Sequence, residues 1–270
     1  MIPIPQQRGG HARRGHGVAG WAVCLALVLH AVLGSGTARA QPVSPAEVLL
    51  FETDHLARTK APATLVYTFR KVSNVDPGFS DTVELDLSRE KEQMHARLYF
   101  LSGERQRELP EIDDAHGNPV LLGFLEHDIA EMKRLTGGST TYFRKRIRMA
   151  LASAAQLGKQ AFAFQGTTHE GQVVRIQPYL DDPLHARFEA YVRKTYTFIL
   201  SDAVPGGVYQ IATSLGAIGG GRPVNAVAAG QAAARPAAAN AAPQAPRPGA
   251  GTVPQIEETL TLLKVADPKR

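Results

Sequence analysis

The fold class this sequence predicts is α+β: a curved antiparallel sheet of about eight strands, half-barrel-like, with a central antiparallel helix pair. Three observations predict it. Apolar and polar residues alternate from Leu65 to Phe100, the apolar period lengthens to that of a helix between Asn118 and Ala154, and alternation returns from Phe162 onward. Strands with one wet face, placed before and after a helix pair, must bury their dry face against those helices.

The strands come first. In Thr82-Val83-Glu84-Leu85-Asp86-Leu87-Ser88 every odd position is apolar and every even one polar; Leu65, Tyr67 and Phe69 precede it in the same pattern, and Met94, Ala96, Leu98 and Phe100 follow. Asp76-Pro77-Gly78 and the run Arg89-Glu90-Lys91-Glu92 break the chain between them, so the segment reads as a three-stranded meander. Asn118 is placed to cap a helix with Pro119 at its first position, and Gly137-Gly138 ends it. Leu121, Leu122, Phe124, Leu125, Ile129, Met132 and Leu135 form its apolar stripe. A second helix starts near Ser139 or Thr140 and presents Phe143, Ile147, Ala150, Leu151 and Ala154; the short link makes the two antiparallel. Strand character resumes at Phe162 and Phe164, turns through 166–171, and continues over 173–177. Phe188, Ala190, Val192, Tyr196, Phe198 and Leu200 read as one long strand, and Val208–Leu215 and Gln255–Val265 as two more.

Between those last two lies a different composition. Residues 216–254 hold 14 Ala, 7 Gly and 6 Pro with no acidic residue, too little apolar surface to offset ordering entropy, and the segment is expected to be a disordered loop. Closing even a long loop costs entropy only logarithmically, so its flanking strands can still pair as a hairpin.

Residues 1–40 read as a signal peptide. Arg13 and Arg14 form the basic region, 18–33 the apolar region, and Ala38-Arg39-Ala40 the cleavage site. Residues 41–270 are then a single extracytoplasmic domain, periplasmic in address, with no further segment suited to spanning a membrane. The chain has 30 Lys and Arg against 25 Asp and Glu, but four of the basic residues (Arg8, Arg13, Arg14 and Arg39) lie in the leader. The remainder is nearly neutral, which argues against nucleic acid as a partner. Cys24, the one cysteine, also lies in the leader, which excludes disulfides and thiol chemistry from the domain.

Export, one-sided strands and an internal helix pair together resemble the periplasmic lipoprotein carriers of the LolA-like type, and the resemblance implies an apolar acyl-chain site with no catalytic residues. The stretch Gly117-Asn118-Pro119-Val120-Leu121-Leu122-Gly123-Phe124-Leu125-Glu126 is also similar to segments of uncharacterised exported bacterial proteins.

The apolar strand face supplies the candidate ligand-lining residues: Leu65, Tyr67, Phe69, Val83, Leu85, Leu98 and Phe100. Asp128 falls inside the first helix's apolar stripe and needs a buried partner; reflection about Gly137-Gly138 points to Arg146. His127 falls outside that stripe, and Asp181, Asp182 and His185 read as solvated surface. Arg144, Lys145 and Arg148 form a basic face on the second helix, suited to anionic headgroups or an acidic partner. No zinc spacing, nucleophile elbow or phosphate loop occurs, so no catalytic residue, metal site or cofactor is assigned. The function expected is an exported non-catalytic binding protein holding a lipid, a lipoprotein's acyl chains or another apolar ligand on the concave face. A cell-envelope interaction or structural protein, and a hydrolase without a recognisable motif, are the alternatives left open.

Overall fold

The structure, a computed structural model, describes residues 42–216 and 253–267. The expected signal peptide and almost all of the expected disordered loop therefore lie outside the described residues.

A single antiparallel sheet, curved and unclosed, organises the domain. Its strands are β1 (Ala63–Ser73), β2 (Phe79–Glu90), β3 (Gln93–Phe100), a two-residue β4 (Arg107–Glu108), β5 (Gln156–Phe164), β6 (Thr167–Ile176), β7 (Thr195–Leu200), β8 (Val208–Leu215) and β9 (Ile256–Ala266). In space they run β4-β3-β2-β1-β9-β8-β7-β6-β5. Two meanders, β1 to β4 and β5 to β8, are thus joined through β9, which pairs with β1 on one side and β8 on the other. The hairpin partnership of β8 and β9 expected across the long segment is present.

The helix pair follows its sequence signals to within a residue: Pro119, expected at the first helical position, is itself the cap residue, one place after Asn118. Asn118 Oδ1 accepts from the Val120 amide at 3.0 Å, helix α2 runs Val120–Thr136 and ends at left-handed Gly137 (φ 72°). Helix α3 (Thr140–Ser153) begins where the Ser139 hydroxyl accepts from the Tyr142 amide. To keep the elements in chain order, α2 and α3 follow a short α1 (Pro45–Glu47) that continues as a π-turn through Glu52. Ser44 and Glu47 close a capping box there, a start signal that alternation elsewhere in the chain obscures. Val120, Leu121, Phe124, Leu125, Ile129 and Met132 of α2 are buried, each contributing about 1.5–3 kcal/mol of burial. Leu122, expected in that stripe, is instead exposed.

Two expected elements are corrected. The long strand from Phe188 is replaced by two single turns, His185–Arg187 and Glu189–Tyr191, and β7 starts only at Thr195. Phe188 packs edge-on against Tyr142, Phe143 and Tyr179, an aromatic cluster that no extended chain in the sheet plane reaches. The turn expected over 166–171 is only two residues, Gln165 and Gly166, both at positive φ, as a tight hairpin matched to strand twist requires.

Candidate functional site

The seven residues expected to line a ligand site share the concave face and are all fully buried. They meet the helices directly. Phe69 packs against Phe79, Phe100 and Phe124, and a Cβ at Gly123 of α2 would lie 2.6 Å from Leu98 Cδ2. The Tyr67 hydroxyl accepts from Asn118 Nδ2 at 3.0 Å, while the same amide donates to the Gly206 carbonyl at 2.7 Å. Asn118 therefore fastens the start of α2 to the sheet.

Strand register arranges the concave side chains in transverse rows, because residues directly opposite in antiparallel strands share a face. One row is wholly apolar: Phe69, Leu260, Ile211, Phe198, Val174 and Leu157, running from β1 across β9, β8, β7 and β6 to the edge strand β5. The first five are buried; Leu157, at the open edge, is 50% exposed.

The neighbouring row is polar. Lys71, Glu258, Thr213 and Tyr196 stand opposite one another on β1, β9, β8 and β7, and all are buried. Helix α2 sets His127, Asp128 and Glu131 against them. The Asp128 carboxylate accepts from Lys194 Nζ and, at 2.5 Å, from the Tyr196 hydroxyl. Lys71 Nζ donates to Glu131 at 3.0 Å, and lies 3.5 Å from Glu258. His127 Nε2 is 3.7 Å from Glu258, with its ring between Phe69 and Phe100.

These neighbours set the ionisation. Burial pushes the Glu131 carboxyl up, but hydrogen bonds from Arg134 and Lys71 override it and bring its pKa down to about 2. Burial likewise opposes charge on Glu258, and His127, Lys194 and Lys71 outweigh it and lower that carboxyl too. For Tyr196, burial first and Asp128 second hold the phenol well above its ordinary range, so it stays a hydrogen-bond donor.

The expected pairing of Asp128 with Arg146 is corrected. Arg146 Nε instead lies 3.0 Å from Asp182 and donates to the Pro178 carbonyl at 3.2 Å. Lys194, just ahead of β7 and in phase with Tyr196 and Phe198, supplies Asp128 with its cation. Asp182, read as surface, is buried and also accepts from the Tyr142 hydroxyl. His127, read as outside the stripe, faces inward.

The basic face is narrower than expected, since Arg144 binds Glu126 through two hydrogen bonds at 2.8 and 2.7 Å. Lys145 and Arg148 are exposed. Among the described residues no three His, Cys, Asp or Glu side chains gather as metal ligands, and no helix is long and apolar enough to cross a membrane.

The polar row was the part that sequence reasoning missed. Its signal was there: Lys71 follows Leu65, Tyr67 and Phe69 in phase, and Glu258 keeps phase with Ile256, Leu260 and Leu262. An ionisable residue in the dry phase of a strand marks a buried charge.

No protein-family model matches the chain, and no curated protein matches it. Among solved structures it is similar to the lipoprotein LppX of Mycobacterium tuberculosis, at 10% identity and a TM-score of 0.33, over 84% of this chain and 99% of that one. At that level the likeness carries no functional argument.

Proposed function

We propose that the domain is a non-catalytic binding protein that holds a lipid or other apolar chain between the concave face of the sheet and the helix pair. The observation that supports it is the apolar row ending at Leu157. Five of its side chains lie under cover and the sixth stands half in water at an open sheet edge, so a continuous greasy track leads from solvent to the core. An acyl chain laid along it gains about 0.8 kcal/mol per buried methylene. The residues of the apolar face are packed against α2, and α2 is fastened at its start by Asn118 and at its middle and second half by the bonds of Asp128 and Glu131. Helix α3, whose charged ties are the buried Arg146 to Asp182 and the exposed Arg144 to Glu126, is the element that would give way as a chain enters from the β5 side.

Native mass spectrometry of the purified protein, with extraction and identification of co-purifying lipid, tests this reading. Lipid is expected in the wild type and reduced several-fold by Leu157→Lys, a change at an exposed position that leaves the melting temperature nearly unchanged. Protein that carries no lipid and takes none up after incubation with acyl-chain probes overturns it.

A further inference from the structure

The apolar track ends beside a group with an unmet chemical demand. Both carboxylate oxygens of Glu258, the Thr213 hydroxyl and His127 Nε2 are buried without a hydrogen-bond partner among the described residues. Glu258 is 1% exposed and stands directly opposite Thr213 in the β9–β8 register. The nearby cations are committed elsewhere: Lys194 donates to Asp128, and Lys71 to Glu131. Lys71 at 3.5 Å and His127 at 3.7 Å stand beside Glu258 at ion-pair distance, longer than the 3.0 Å hydrogen bond that Lys71 gives Glu131. A buried carboxylate in that position accepts, and what it lacks is a donor.

We infer that Glu258, with Thr213 and His127 beside it, is the subsite for the polar end of an amphiphile, and that it selects headgroups that donate hydrogen bonds, a hydroxyl or an ammonium, over headgroups that only accept. The inference rests on the binding reading proposed above. Position supports it: Glu258 and Thr213 are two residues along their strands from Leu260 and Ile211 of the apolar row, a step of about 7 Å. From Ile211 the row crosses three strand spacings to Leu157, about 14 Å, so the head lies deep and the tail points toward the open edge. A carboxylate headgroup would place acceptor against acceptor in a buried site, which is the means of rejection.

Four sixteen-carbon probes distinguish the outcomes when titrated into the delipidated protein at neutral pH: hexadecane, a monoacylglycerol, hexadecylamine and palmitate. Wild type is expected to bind the monoacylglycerol, the amine or both at least about tenfold more tightly than palmitate, the scale of one hydrogen bond to a buried charge. Glu258→Gln, which keeps the shape and adds a donor, should erase or invert that preference while leaving hexadecane binding unchanged. Thr213→Val should weaken it without introducing a donor, and serves if the Gln variant does not fold. Comparison of the monoacylglycerol and the amine separates hydroxyl from ammonium sources. If no probe binds, hexadecane included, the binding reading itself fails. If the probes bind alike, or the preference survives both substitutions, the track stands and the subsite does not, as when Glu258 is met by water alone.

Discussion

Two adjacent rows of one concave face obey different rules. The row through Phe69, Leu260, Ile211, Phe198 and Val174 is held by packing, which is non-directional and spread over many contacts. The row one step along, Lys71, Glu258, Thr213 and Tyr196, is held with Asp128, Lys194 and Glu131 by directional bonds between charges withdrawn from water. The first tolerates replacement by residues of similar volume. The second tolerates loss of neither partner alone, because what is left behind is a buried uncompensated charge.

The sharpest way to break the contrast is at Asp128. Asp128→Ala leaves Lys194 buried and alone and should cost about 3–5 kcal/mol in urea unfolding, with much of it recovered in the Asp128→Leu, Lys194→Met double variant. A double-mutant cycle of Asp128 with Arg146 should show no coupling, whereas Arg146 with Asp182 should. Strong Asp128–Arg146 coupling would mean that the buried network is wired differently.

Acid should separate the rows next. Glu131 has a folded pKa of about 2 against an ordinary 4.5, a depressed acid. Its stabilisation is fully present above pH 4.5 and is lost as pH falls toward 2, on the order of 2–3 kcal/mol across that window. Thermal unfolding between pH 5 and 2 should show this loss, and Glu131→Gln should flatten it. An unchanged slope in the variant would assign acid sensitivity elsewhere.

The smallest effect is expected in the packed region. Leu85→Met, fully buried and close to volume-conserving, should cost less than about 1.5 kcal/mol and leave the pH profile intact. A larger penalty would mean that the apolar face is as exacting as the polar one.

How far each row could be read in advance follows from the same physics. Leu65, Tyr67, Phe69, Val83, Leu85, Leu98 and Phe100 were legible because period-two alternation reports one-sided burial directly. Gly137 and Ser139 announced the helix ends through backbone chemistry that few residues supply. Phe188, Ala190 and Val192 misled because every-second spacing also arises by accident over a few residues, and the packing of Phe188 on Tyr142 and Phe143 is set by distant sequence. Lys71 and Glu258 were legible only as exceptions to a pattern. That they face one another, with Asp128 and Lys194 close by, depends on register between strands 187 positions apart, and no local signal carries that.

The place of β9 also sets an order of events. Every pairing within β1 to β4 and within β5 to β8 joins strands that precede β9 in the chain, and the strand that unites the two groups comes after both. Until it arrives, β1 and β8 each present a bare edge to solvent and to other chains. Closing the sheet then requires contacts between its most distant sequences, which makes assembly slow and late. The two halves of the sheet can pair within themselves, and β9 alone makes them one domain.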